Sequence, residues 1–155
     1  MKIFSLNRNT ENSVVVTAQL LRLLNVNVTQ ESLQNSLTAH PDYPSIISIT
    51  DVLYKYKIDS SIIKVAWDDI DKLETPFITR LKFNDGAFVV ITKVSKEHIE
   101  YLKPHYKITP ARISKGNFLN YGPASHYLQN PMITLVNLSI VRTERQNCVI
   151  TSELQ

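Results

Sequence analysis

The stretch TPFITRLKFNDGAFVVITKV, residues 75–94, contains the clearest strand pair in the chain. Two runs rich in β-branched and aromatic residues flank Asn84-Asp85-Gly86, and an Asp-Gly pair between two such runs is a strong hairpin signal. Shorter runs of similar composition, SIIKV before the hairpin and HIEYLK after it, extend the pattern on both sides. The middle of the chain therefore predicts an antiparallel sheet.

The first third of the chain has the composition of three helices. Asn12 and Ser13 are good N-caps before VVVTAQLLRLL, and the nearly continuous apolar character of this run predicts a deeply buried helix that ends near Leu24-Asn25. Thr29 is expected to cap a second helix, QESLQNSLTAH. Ser45 is expected to cap a third, IISITDVLYKY, after the turn-rich segment HPDYPS.

Two further elements complete the predicted fold. A short helix around residues 67–73 is expected to connect the first two strands, and ITLVNLSIV near the C-terminus has the composition of a last strand. Helices followed by an antiparallel sheet indicate an α+β fold. The length of 155 residues and the hydrophobic content of 43% suit one compact domain over residues 1–155.

Composition and charge argue against several classes of function. The formal charge is +3 with basic residues spread along the chain, whereas a nucleic-acid partner normally requires a clustered basic face. A single cysteine and no zinc-ligand spacing argue against a disulfide and a metal site, and we expect no cofactor. No apolar run has the length of a signal peptide or a membrane span, although a membrane portion could follow if the chain is part of a longer protein.

The order of the predicted elements is similar to that of a known family. From about Asn7 to Phe118 the chain resembles the papain-like cysteine peptidase domains of bacterial transporters that cleave double-glycine leader peptides from bacteriocins and related cargo. The resemblance rests on a buried helix, a second helix, a turn, a third helix and a hairpin, and locally on HPDYPSIISITDVLYKYKI, residues 40–58, and the hairpin stretch. These segments are most similar to a branch associated with Bacteroidetes-type bacteria. In that branch the domain sometimes precedes a vitamin K epoxide reductase-like membrane unit and a thioredoxin-like unit.

The resemblance implies four catalytic positions, and this sequence departs from the family at three of them. The family requires a cysteine thiolate at the start of the buried helix, a histidine at the start of the second hairpin strand and an acidic residue just before a proline. Here Ser13, Ala87 and Lys103 stand at these positions. Only the amide of the oxyanion hole, a glutamine in the family, has an analogue, Asn7. A serine needs a strong adjacent base, and alanine supplies none, so the resemblance implies lost catalysis.

Three functions remain open on these grounds. The leading hypothesis is a catalytically inactive domain that recognises a leader peptide or partner segment in a cleft near Asn7, Ser13, Ala87 and Phe88, in the cytoplasm or at the membrane of a bacterium. Alanine in place of histidine makes the floor of that cleft more apolar, which favours an apolar anchor side chain. The second hypothesis is a cysteine peptidase for double-glycine leaders whose nucleophile is replaced at Ser13. The third is a structural accessory domain of a membrane redox protein.

The other candidate residues favour structural roles. His40 lies in a rigid turn before a helix, and His98, His105 and His126 are scattered without a partner at a recognisable spacing. Cys148 lies among polar residues without a nearby helix start that would activate its thiol. None of these residues predicts a second catalytic site.

Overall fold

The structure, a computed structural model, describes residues 8–81, 86–104, 107–120 and 132–136, with the backbone alone at 8–11, 67–68, 119–120 and 132–136. The helices are α1 (Arg8–Leu23), α2 (Gln30–Thr38), α3 (Ile46–Lys55), a 3-10 helix (Trp67–Lys72) and α4 (Lys115–Asn120). The strands are β1 (Ser60–Lys64), β2 (Phe77–Arg80), β3 (Phe88–Val94), β4 (His98–Leu102), β5 (Pro110–Ser114) and β6 (Met132–Val136). The predicted α+β class is confirmed.

The second and third helices begin as the capping residues predict. The Thr29 side chain accepts a hydrogen bond from the Ser32 backbone N–H, which satisfies one of the free donors of the first turn of α2. Ser45 and Ser48 form a reciprocal capping box at the start of α3, with both bonds at 3.2 Å. Local sequence therefore fixes where these two helices start.

The first helix starts earlier than the sequence predicts. Asn12 and Ser13 were expected to be its caps, but α1 begins at Arg8, so both residues lie in its second turn. The physical reason is that the Asn12 side chain is used in a tertiary contact with Phe88 rather than at a helix end. The C-terminal end agrees with the prediction, because Asn25 adopts the left-handed conformation that ends helices.

The six strands form one antiparallel sheet in the order β1-β6-β2-β3-β4-β5. The hairpin predicted from the Asp-Gly turn is confirmed by the pairing of β2 with β3, in which Arg80 lies opposite Phe88. The first four residues of the predicted last strand, 133–136, belong to β6, which lies between β1 and β2, and residues 137–141 of that prediction lie outside the described residues. The edge strand β5 and the helix α4 were not predicted.

The two faces of the sheet carry separate cores. Alternate strand side chains point to opposite faces, and one set, including Ile78, Val90 and Leu102, packs against α1, α2 and α3. The opposite set includes Phe77, Val89 and Ile91 and packs with Ile70 of the 3-10 helix and Phe118 of α4. No described helix is long and apolar enough to cross a membrane.

Candidate functional site

Helix α1 is joined to the start of β3 by a pair of hydrogen bonds. Asn12 Nδ2 donates to the Phe88 carbonyl at 3.0 Å, and the Phe88 N–H donates to Asn12 Oδ1 at 2.7 Å. On the side of the β3 strand that faces β2, the Leu81 N–H donates to the Ala87 carbonyl. Because backbone groups of successive residues point to opposite sides of a strand, the polar groups of Phe88 point away from β2. The carboxamide of Asn12 therefore takes the place of a neighbouring strand at this point, and we call this contact the Asn12–Phe88 junction.

The junction brings together the positions that the sequence assigned to the nucleophile and the base. Ser13 follows Asn12 and Ala87 precedes Phe88, so the two residues flank one contact although 73 residues separate them in sequence. Ser13 has an exposed fraction of 0%, Ala87 of 9% and Phe88 of 7%. Ser13 is thus buried in the second turn of α1, and the residue before Phe88 carries a methyl group rather than an imidazole.

The position assigned to the acidic partner lies at a second contact of α1. Gln19 Nε2 donates to the Lys103 carbonyl at 2.8 Å, and the Lys103 N–H donates to the Thr109 carbonyl. Helix α1 therefore contacts the start of β3 through Asn12 and the end of β4 through Gln19. The Lys103 side chain is exposed, and an ammonium group cannot orient an imidazolium as a carboxylate does.

The carboxylate that precedes Lys103 in sequence is used elsewhere. Glu100 Oε1 accepts a hydrogen bond from Arg112 Nη2 at 2.6 Å on the neighbouring strand β5. This bond holds the pKa of the Glu100 carboxyl below its usual value. Glu100 thus has a cross-strand partner of its own.

The described histidines have partners of their own. His40 Nδ1 accepts the Asp42 N–H at 3.1 Å, so Nε2 carries the ring proton and donates to Asp51 at 2.9 Å. Both nitrogens are occupied, and the ring joins the turn to α3 as the structural interpretation predicts. His98 Nε2 lies 3.7 Å from Glu100 Oε1. Four predicted positions lie outside the described residues: Asn7, His105, His126 and Cys148.

Sequence reasoning missed Arg80, which lies beside the junction. Its Nε donates to the Gly86 carbonyl, and its guanidinium carbon lies 5.8 Å from the centroid of the Phe88 ring. The side chain is exposed. No sequence signal identified it, because the register that places residue 80 directly opposite residue 88 is seen only in the folded hairpin.

Other features of the described surface do not form an alternative site of known type. No group of three or more His, Cys, Asp or Glu residues in the described ranges is placed to hold a metal ion. A shallow groove of about 510 Å³ lies along α2 and α3. It is polar, and its lining residues are Thr29, Glu31, Ser32, Asn35, Ser36, Ala39 and Lys55.

Comparisons with known proteins agree with this arrangement. The model of a family described as the Peptidase C39 family matches residues 1–121. The crystal structure of a double glycine motif protease from an AMS/PCAT transporter, in complex with the leader peptide, is similar with a TM-score of 0.66. The two chains are 14% identical, and the match covers 88% of this chain and 87% of that chain.

A second similar structure is the peptidase domain of Streptococcus ComA, a bifunctional ABC transporter involved in a quorum sensing pathway. Its TM-score is 0.62 at 16% identity, with 80% of this chain and 90% of that chain covered. At these identities the likeness establishes the fold, and the predicted papain-like arrangement is confirmed. No curated protein matches the chain.

Proposed function

Because the chain belongs to the peptidase C39 family, we propose that it is a catalytically inactive peptidase-like domain that recognises a leader peptide or a partner segment. The observation that carries the proposal is the Asn12–Phe88 junction. It holds the helix and the strand together, and its flanking residues, Ser13 and Ala87, stand at the positions that the resemblance assigns to cysteine and histidine.

The chemical argument for inactivity is that each missing group removes a separate step. A thiolate attacks the scissile carbonyl, an imidazolium lowers the thiol pKa and protonates the leaving amine, and a carboxylate orients the ring. The residue at the base position, Ala87, carries no imidazole, and Lys103 presents an exposed ammonium. Asn7, the counterpart of the oxyanion-hole amide, would stabilise an intermediate that the remaining residues do not generate.

Peptide recognition does not require any of these lost groups. The AMS/PCAT protease of similar fold was solved with its leader peptide bound, and a groove of this fold can bind a peptide through its walls. We propose that the ligand contacts the surface around Asn7, Ser13, Ala87 and Phe88. Since Ser13, Ala87 and Phe88 are almost fully buried, the ligand must pack at the edge of the junction or displace the side chains that cover it.

The same burial favours a second candidate function. Because Ser13, Ala87 and Phe88 are buried, the domain could act without binding a free peptide, as a structural accessory domain. In this case residues 1–155 would form one peptidase-like unit at the N-terminal end of a longer membrane protein. In the Bacteroidetes-type branch that partner would be a redox unit similar to vitamin K epoxide reductase. This candidate predicts that the gene continues into membrane-spanning helices, and a stop codon just after Gln155 would rule it out.

The third candidate, an active peptidase with cysteine in place of Ser13, makes its own prediction. In that case the double variant Ser13→Cys, Ala87→His would restore a thiol of depressed pKa that reacts rapidly with iodoacetamide. Ordinary thiol reactivity in the double variant would show that the catalytic frame is not preserved.

The experiment that tests the proposal is a binding titration with a fluorescently labelled double-glycine leader peptide, followed by mass spectrometry of the peptide. A peptide of scrambled sequence is the control. We expect saturable binding of the leader, weaker binding of the scrambled peptide and an intact peptide after prolonged incubation. Cleavage would show that the catalytic assignment is wrong, and no binding would favour the accessory role.

A further inference from the structure

We propose that Arg80 is a carboxylate-binding residue of the peptide site, so that the ligand presents a carboxylate beside the Asn12–Phe88 junction. This inference rests on the proposed peptide recognition. It names the chemistry that the ligand must carry at one point.

The first argument is that the Arg80 side chain is held in one place at the site. Its Nε donates to the Gly86 carbonyl, and its guanidinium carbon lies 5.8 Å from the centroid of the Phe88 ring. The hydrogen bond and the cation–π contact hold the Arg80 side chain in place before the ligand binds. Binding therefore costs less rotamer entropy than it would with a freely rotating arginine. Phe88 in turn carries the backbone groups bonded to Asn12, so the guanidinium is fixed relative to the junction.

The second argument is that the charge of Arg80 is not neutralised within the described residues. The close contacts between basic side chains and carboxylates found there join His40 to Asp51, Lys72 to Asp69, His98 and Arg112 to Glu100, and Lys115 to Asp71. Arg80 takes part in none of them, and its side chain is exposed. A fixed and exposed cation that has no carboxylate partner among the described residues can accept one from a ligand.

The Arg80 guanidinium has N–H donors besides the one that binds Gly86. A guanidinium presents two edges for paired hydrogen bonds, one formed by Nε and a terminal nitrogen and the other by the two terminal nitrogens. The bond to Gly86 uses Nε, which leaves the edge between Nη1 and Nη2. Two parallel N–H groups on that edge match the two oxygens of a carboxylate. A neutral carbonyl would satisfy only one of them and would not offset the charge.

A carboxylate on a peptide comes from its C-terminus or from an aspartate or glutamate side chain. Both sources present the same two oxygens, so the structure specifies the group and not its origin. Three forms of one leader peptide separate the sources: the free C-terminal acid, the C-terminal amide, and the acid with every Asp and Glu replaced by Asn and Gln.

The experiment compares the dissociation constants of these three peptides for the intact chain and three variants. Arg80→Gln removes the charge, Arg80→Lys keeps the charge but removes the paired donors, and Arg22→Gln is the matched control. Arg22 is also exposed and lies ten residues along α1 from Asn12, about 15 Å at 1.5 Å per residue.

We expect Arg80→Gln to weaken binding of the peptide that carries the recognised carboxylate about tenfold, which corresponds to about 1.4 kcal/mol. The form that lacks this carboxylate should bind the wild-type chain and the Gln variant equally. The dissociation constant of Arg80→Lys should lie between those of the wild-type chain and Arg80→Gln, and that of Arg22→Gln should equal the wild-type value. Added salt should reduce the difference in affinity between the wild-type chain and Arg80→Gln. On wild-type protein the Arg80 Nε–H signal in NMR should shift with the carboxylate form alone, a readout that does not depend on how the variants fold.

Two results would overturn the inference while leaving peptide recognition intact. One is equal affinity of the wild-type chain for all three peptides. The other is an equal loss in Arg80→Gln for every form, which would show that Arg80 only supports the local structure. If the wild-type chain binds none of the peptides, peptide recognition and the role of Arg80 both fail.

Discussion

Replacing Asn12 with alanine removes both hydrogen bonds of the Asn12–Phe88 junction without inserting a larger group. The change leaves the Phe88 N–H and carbonyl without their protein partner in a region where Phe88 itself is 7% exposed. Among the described strands, none pairs with Phe88 on that side, because the pairing of β3 with β4 begins at Val90. We therefore expect the free energy of unfolding to fall by more than it would if two solvent-exposed hydrogen bonds were removed.

The magnitude follows from the burial of the backbone groups that remain. A hydrogen bond contributes about 0.5–1.5 kcal/mol net, and a buried polar group left unpaired costs about 1–3 kcal/mol. Asn12 is half-buried, so water can reach part of the junction, and we take about 2–4 kcal/mol for the two bonds together. Alanine has a higher helix propensity than asparagine, which offsets about 0.6 kcal/mol of this loss. A net loss of about 1.5–3.5 kcal/mol lowers the Tm of a domain of this size by roughly 3–14 °C.

The assay is urea unfolding followed by circular dichroism, with Asn35→Ala as the control. Asn35 is exposed on α2, so the same substitution there should change stability by no more than about 0.6 kcal/mol, through the higher helix propensity of alanine. A loss in Asn12→Ala no larger than that of the control would refute the reasoning. It would mean that the junction contributes nothing to holding α1 on the sheet.

Three further predictions concern the site and the two faces of the sheet. In a Cys148→Ser background, Ser13→Cys should react with iodoacetamide at least about tenfold more slowly than free cysteine at pH 7, because the position is buried and lacks an imidazole; a faster rate would indicate an intact catalytic environment. Phe118→Ala should cost about 3–5 kcal/mol in urea unfolding, since this ring is fully buried between α4 and the sheet, and a loss below about 1 kcal/mol would contradict the packing described. The hydrogen bond from Arg112 lowers the pKa of Glu100 in the folded chain. This bond therefore stabilises the fold at pH values above the usual glutamate pKa, and the stabilisation is lost as the pH falls through the lowered pKa of the folded state. Arg112→Gln should therefore be less stable than wild type at pH 7 and equally stable at strongly acidic pH, whereas a constant difference would show that the bond is not the cause.

The parts of the fold that the sequence predicts are those encoded by neighbouring residues. Thr29 and Ser45 cap their helices through residues three positions ahead, and the paired strands β2 and β3 are adjacent in the chain. Strand β5 was missed because PARIS begins with proline and lacks the β-branched alternation of a typical strand. It forms at the sheet edge through pairing with β4, where Glu100 bonds to Arg112.

Similarity to a family assigned the site to Ser13 and Ala87, and this assignment stays a prediction. The hydrogen bonds between their neighbours, Asn12 and Phe88, were not predicted. The start of α1 was predicted wrongly because Asn12 has the composition of a cap but bonds to a residue 76 positions away. Such a contact leaves no local signal. The burial of Ser13 and the fixed position of Arg80 likewise depend on tertiary packing.

The measurement that tests the central claim most directly is an NMR titration of the isotope-labelled chain with a double-glycine leader peptide, followed by mass spectrometry of the peptide. The account predicts saturable shifts of the backbone signals of Ser13, Ala87 and Phe88, smaller shifts elsewhere, and a peptide of unchanged mass. Cleavage of the peptide, or binding that leaves these three signals unchanged, would contradict it.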